Sequence, residues 1–223
     1  MPRTLLLLLF VAPVFASGGA AAPPGAKVLF YSPASGDAAS AAALPSPVTG
    51  LTPVGPPGTV FVGLHYWFEN DHHEKFVDAG AAAIGSQITL HLRANTPAFL
   101  TVWMSDATHA SVELTPRTDA GPQGAWSGHR LGRDRDYVVN PDFSVAPQAE
   151  AAHVIMFLAR SQTEQVDSFQ SCRDKLARIT QRVASDGASV IAQEVDRTTA
   201  GQIGTYVVHR TGGQTGAEIV IGR

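Results

Sequence analysis

The stretch from Gly85 to Met104 constrains the fold more than any other: Gly-Ser-Gln-Ile-Thr-Leu-His-Leu-Arg-Ala-Asn-Thr-Pro-Ala-Phe-Leu-Thr-Val-Trp-Met. Ile88, Leu90 and Leu92 alternate with Thr89, His91 and Arg93, the period of two that marks a strand with one buried face. Asn95-Thr96-Pro97 ends that strand, because Pro97 fixes its own φ, lacks a donor and drives Thr96 out of the helical region. Ala98, Leu100, Val102 and Met104 then face one way while Phe99, Thr101 and Trp103 face the other, so the second strand needs cover on both sides. The pattern predicts a β-hairpin at the centre of the fold.

Other segments repeat the β-pattern. In Val60 to Glu69, Val62, Leu64, Tyr66 and Phe68 share one face, and Phe61, His65, Trp67 and Glu69 the other. His153 to Ala159 is apolar at almost every position, as a central strand buried on both faces would be. Short strands are predicted over Ser111–Thr115, Tyr137–Val139 and Phe143–Val145. Tyr206–His209 and Glu218–Ile221 flank a glycine-rich connection and read as a terminal hairpin over 205–221.

One segment changes period. Ser161-Gln162-Thr163-Glu164 has the form of a capping box. Val166, Phe169, Cys172, Leu176, Ile179 and Val183 then recur every three or four residues, opposite Asp167, Arg173, Asp174, Arg178 and Arg182. The spacing predicts an amphipathic helix over 161–184, stopped at Asp186-Gly187, that covers a sheet face. The expected architecture is mainly β, an antiparallel β-sandwich with one covering helix, for which α+β is the looser description.

The first residues address the compartment. Arg3 precedes the apolar run Leu5 to Val11, and Val14-Phe15-Ala16 has the small-residue spacing that signal peptidase reads, so residues 1–16 are read as a secretory signal peptide. No cysteine lies near that site to carry a lipid, and no other stretch is long enough to span a bilayer. The expected location is outside the cytoplasm, periplasmic or extracellular. Residues 17–58 are rich in Ala, Pro, Ser and Gly and read as linker. Within them residues 27–31, Lys-Val-Leu-Phe-Tyr, have the bias of a short edge strand or of a segment that docks on the domain. Residues 59–223 then form one β-rich domain.

Charge and cysteine content exclude some classes. A net charge of −3 leaves no basic footprint for nucleic acid. Cys172 is the only cysteine, so no intramolecular disulfide forms, and its place beside Phe169 and Leu176 on the helix reads as a buried small apolar side chain.

The aromatic strand Leu64-His65-Tyr66-Trp67-Phe68-Glu69, Gly85 followed by Ile88 to Arg93 and Ala94-Asn95, and Ala98-Phe99-Leu100-Thr101-Val102 together resemble a bacterial family known as domain of unknown function 4384. Leu114-Thr115-Pro116 and Tyr137 with Phe143 echo its later strands. The likeness spans roughly Val60 to Ala159; Ser86 stands where the family holds an acidic residue, and Ala98 where it holds a larger one. The resemblance implies a β-rich, sandwich-like module of exported proteins, with no catalytic residue to carry over.

The chemistry-bearing residues are few. His65 and His91 share a face near Glu69 and are the alternative to having no metal site. His72 and His73 sit in a polar turn. Ser127 and His129 form a dyad candidate, but Gly124-Ala125-Trp126-Ser127-Gly128 misses the nucleophile-elbow spacing by one position. No lysine phosphate loop, paired-cysteine motif or dinucleotide glycine pattern occurs. Arg117, Arg130, Arg133 and Arg135 lie on one loop with Trp126, where planar donors and a ring can meet a carboxylate, a sugar or a partner protein. Their alternative fate is a solvated loop paired with Asp119, Asp134 and Asp136. The expectation is an exported, non-enzymatic β-sandwich interaction module of a cell envelope. It needs no cofactor, and its partner is a protein or envelope component. The alternative is a periplasmic small-ligand-binding protein or hydrolase with its site beside the 117–136 loop.

Overall fold

The computed structural model describes residues 25–32, 61–81, 85–105, 111–114, 116–118, 130–139, 143–144, 152–161, 166, 168–186, 191–198, 202–209 and 213–221. In chain order the elements are α1 (Ala26–Tyr31), β1 (Val62–Asn70), β2 (Lys75–Phe76), β3 (Gln87–Ala94), β4 (Ala98–Ser105), β5 (Val112–Glu113), β6 (Pro116–Thr118) and β7 (Arg130–Leu131). They continue with β8 (Asp136–Val139), β9 (Phe143–Ser144), β10 (Ala152–Ala159), α2 (Phe169–Asp186), β11 (Ile191–Asp196), β12 (Gly204–His209) and β13 (Gln214–Ile221).

Two antiparallel sheets form. The larger runs β11-β12-β1-β3-β8-β6, with β2 also on β1 and β9 on β3. The smaller runs β13-β10-β4-β5, with β7 also on β4. Alternation dictates what lies between them. Val62, Leu64, Tyr66 and Phe68 of β1, with Ile88, Leu90 and Leu92 of β3, meet Leu100 and Val102 of β4 and Val154, Met156 and Leu158 of β10 in one buried cluster. β10 lies between β4 and β13, and Ile155 and Phe157 on its other face are fully buried against α2, as its continuous apolar run requires.

The predicted central hairpin does not form. β3 pairs with β1, β8 and β9, and β4 pairs with β10, β5 and β7, so the chain crosses from one sheet to the other between them. Asn95 explains the crossing. Its side-chain Oδ1 accepts the buried Gly63 N–H at 2.8 Å, and its own N–H donates to the Gly63 carbonyl at 3.2 Å, which ties the corner to β1 before Pro97 turns it away. The terminal pair repeats the arrangement: β12 joins the larger sheet and β13 the smaller, so this too is a sheet crossing and not a hairpin.

Among the described residues, two α-helices cover the outer faces, besides a 3-10 turn at Ala79–Ala81. The main one, α2, begins at Phe169, later than predicted, where the Ser168 hydroxyl oxygen accepts the Ser171 N–H at 3.2 Å. Gln162 to Gln165 of the expected start lie outside the described residues. Phe169, Cys172, Leu176 and Ile179 pack on Trp103, Ile155 and Phe157, which bears out the helical period and the buried reading of Cys172. The second helix is α1, where a short strand is the other expectation. Residues 26–31 are helical and dock on the larger sheet, and among the described residues no strand pairs with them.

Candidate functional site

The outer face of the larger sheet carries a row of rings. Register places Tyr206 of β12 opposite His65 of β1, His65 opposite Arg93 of β3, and Trp67 opposite His91. Tyr206 and His65 stack at 4.1 Å and 1° between planes; His65 meets Trp67 at 4.9 Å, and Trp67 stacks on His91 at 5.3 Å. Two cations cap the indole, with Lys75 Nζ 5.0 Å and the Arg93 guanidinium 6.0 Å from the ring centre. Three of the four rings are sealed: His65 and Trp67 are each 2% exposed and Tyr206 is 0% exposed, while His91 is half-buried.

Burial sets the protonation of this row. The buried His65 imidazolium is disfavoured first by loss of hydration and then by the Arg93 guanidinium, and the Ile203 carbonyl opposes them only in part, so its pKa falls to about 3. Among the described residues, neither its ring nitrogens nor Trp67 Nε1 has a hydrogen-bond partner in ordinary geometry. Burial also raises the Tyr206 phenol above its usual range, and the Tyr31 hydroxyl adds to the rise. Gly204 makes the packing possible. A Cβ there would collide with the His65 ring and approach the Tyr66 carbonyl to 2.7 Å.

The upper part of this face is covered by α1. Phe30 lies over Gly63, where an added Cβ would sit 2.8 Å from its ring, and packs edge-on against Tyr206 at 5.5 Å and His65 at 5.9 Å. Tyr31 and Tyr206 bring their hydroxyls to 3.3 Å. Around the rings, the Lys27 ammonium pairs with the Asp196 carboxylate, and the Lys27 backbone N–H donates to Glu194 Oε2 at 2.9 Å. The lower part of the face is polar: His73 Nδ1 lies 2.7 Å from Glu69 Oε1, and His91 Nε2 lies 3.8 Å from Glu69 Oε2.

The sequence candidates fall as follows. His65 and His91 do share the face, but Trp67 stands between them, and among the described residues no three His, Cys, Asp or Glu side chains are placed to hold a metal ion. Arg117 belongs to β6 in the larger sheet, opposite Val138, whereas Arg130 belongs to β7 in the smaller sheet, opposite Phe99. Arg130 and Arg135 are exposed. Arg133 Nε donates to Asp134 at 3.0 Å; partial burial holds the Asp134 carboxyl above its usual value, and Arg133 opposes that shift. The fold therefore puts Arg117 and Arg130 on different sheets, with Arg133 and Arg135 in the connection between β7 and β8. Trp126, Ser127 and His129 lie outside the described residues.

Sequence reading missed Tyr206, Lys27, Glu194 and Asp196 as parts of one site. For Tyr206 the signal is the alternation in β12, which puts it with Val208 on the face opposite Val207, and for Lys27 it is the docking segment read over 27–31; Glu194 and Asp196 carry no such signal. In class, this is a two-sheet β-sandwich with a helix on each outer face. Compared with family models, curated proteins and solved structures, the chain matches none.

Proposed function

We propose that this chain is an exported, non-enzymatic β-sandwich module of a bacterial cell envelope, and that it acts by binding protein on the outer face of its larger sheet. The observation that carries the reading is α1. A six-residue segment is held on that face by ring packing, an ion pair and a carboxylate that accepts its backbone N–H, the ordinary elements of peptide recognition. The signal-like residues 1–16 support export. His65 is a poor catalyst: it is sealed from a substrate, and a pKa lowered to about 3 makes its imidazole a weak base.

The test has two parts. The mature chain, recovered from a periplasmic or secreted fraction, is used to capture partners from its own envelope extract, and any captured protein is purified and rebound. The expected result is saturable binding that weakens at least tenfold on Asp196→Lys. A specific turnover by the purified protein that is lost on mutating Ser127 or His129 would overturn the reading.

A further inference from the structure

The helix on the larger sheet has little stability of its own. Six residues are well short of the roughly 12 to 15 that an isolated helix needs in water. Gly25 provides no side-chain cap, the first turn holds no acidic residue, and the last turn holds no basic one. This segment is therefore helical because it is docked. Its anchors are far away in sequence: Glu194 is 167 positions from Lys27, and Tyr206 is 175 from Tyr31. Residues 33–60 separate it from the domain it docks on.

The docking surface is specific in shape and charge. Gly63 leaves the hollow that takes Phe30, Tyr206 supplies the ring and hydroxyl that meet Phe30 and Tyr31, and Glu194 and Asp196 face Lys27. The chain's own segment satisfies all of these at once. An identical segment from a second chain would make the same contacts, so cis and trans docking differ only in chain entropy and concentration, not in the interface.

We propose that this groove is also filled in trans, by α1 of a second copy, so that two chains exchange their N-terminal helices in a symmetric dimer. The proposal rests on the reading of this face as a recognition surface and names a second copy as its occupant. Cis docking wins at low concentration, because a tethered segment has an effective concentration on the order of millimolar. Exchange takes over when cis docking is impaired or the protein is concentrated.

A charge-reversal pair tests it on the full mature chain. Lys27→Asp alone opposes Asp196, and Asp196→Lys alone opposes Lys27, so each variant loses its cis contact. Mixed together, Asp at 27 of one chain meets Lys at 196 of the other, and the second groove receives its native pair. The expected result by sedimentation velocity is a 1:1 heterodimer in the mixture at ~100 µM, well below the tethered concentration, while each variant alone and the Lys27→Asp/Asp196→Lys double variant stay monomeric. A mixture that remains monomeric, or dimers that either variant forms equally well alone, would overturn the exchange. If either variant does not fold, isotope-labelled and unlabelled wild-type chains are incubated together near the roughly millimolar tethered concentration and read by native mass spectrometry. Mixed-mass dimers that a Phe30→Ala chain fails to form support exchange, and their absence in the wild type contradicts it. A failure here leaves binding of a protein of different sequence, tested by capture and rebinding, untouched.

Discussion

His65 lies flat against Tyr206, 4.1 Å between ring centres and 1° from parallel, with both of its ring nitrogens buried. The stack joins β1 to β12 at the point where Phe30 of α1 packs edge-on against both rings.

A pH dependence follows. The pKa of His65 is lowered to about 3 in the fold from 6.5 in the open chain. The unfolded state therefore gains a proton that the folded state refuses. The contribution is fully present above pH 6.5 and is lost as the pH falls from there towards 3, by up to about 1.4 kcal/mol per pH unit. Urea denaturation at pH 7 and pH 5 should show a loss in the wild type that is smaller in His65→Gln. The ring NMR signals of His65 should not titrate above pH 5.

Gly204→Ala tests the close approach under that ring. The added methyl meets the imidazole and the Tyr66 carbonyl, which can move only by distorting β1. A loss of about 1–3 kcal/mol is expected in denaturant melts. Gly213→Ala, with nothing within 4 Å of the new atom, is the matched control and should change stability little.

Asn95→Ala tests the crossing between the sheets. It leaves the buried Gly63 N–H without its acceptor, at a cost of about 1–3 kcal/mol. The loss is expected as a shift in denaturation midpoint with the fold retained in circular dichroism.

Cys172 is expected to be inert in the native protein. Burial against Ile155 and Phe157 pushes its thiol up to about 12, so almost no thiolate exists at neutral pH, and no reagent reaches it. Alkylation by iodoacetamide should be negligible in the native state and complete in urea. Rapid native labelling would contradict the packing of α2.

Faces were legible in the sequence where partners were not. A period of two assigns Leu64, Tyr66 and Phe68 to the core without reference to the rest of the chain, and the helical period of α2 places Cys172 and Ile179 on the sheet in the same way. Which strand β3 pairs with depends on Asn95 finding Gly63, a contact across 32 positions, and an alternating pattern looks the same in a hairpin and in a sheet crossing. Lys-Val-Leu-Phe-Tyr has strand-like residues, but docking of Leu29 and Phe30 overrides local propensity and makes it helical. The candidate site was harder still. Lys27, His65, Asp196 and Tyr206 come from four separated segments, whereas Arg117 and Arg130, close in sequence, end on opposite sheets.

The most direct test of the account is hydrogen exchange on the mature chain, because everything proposed for the larger sheet depends on α1 being held there. The amides of Leu29 and Ser32, bonded to Gly25 and Val28 carbonyls, should be protected in the wild type. That protection should be lost in Phe30→Ala/Asp196→Ala, while β10 keeps its own. Equal and rapid exchange of these amides in both proteins would contradict a docked α1 and the recognition surface inferred from it.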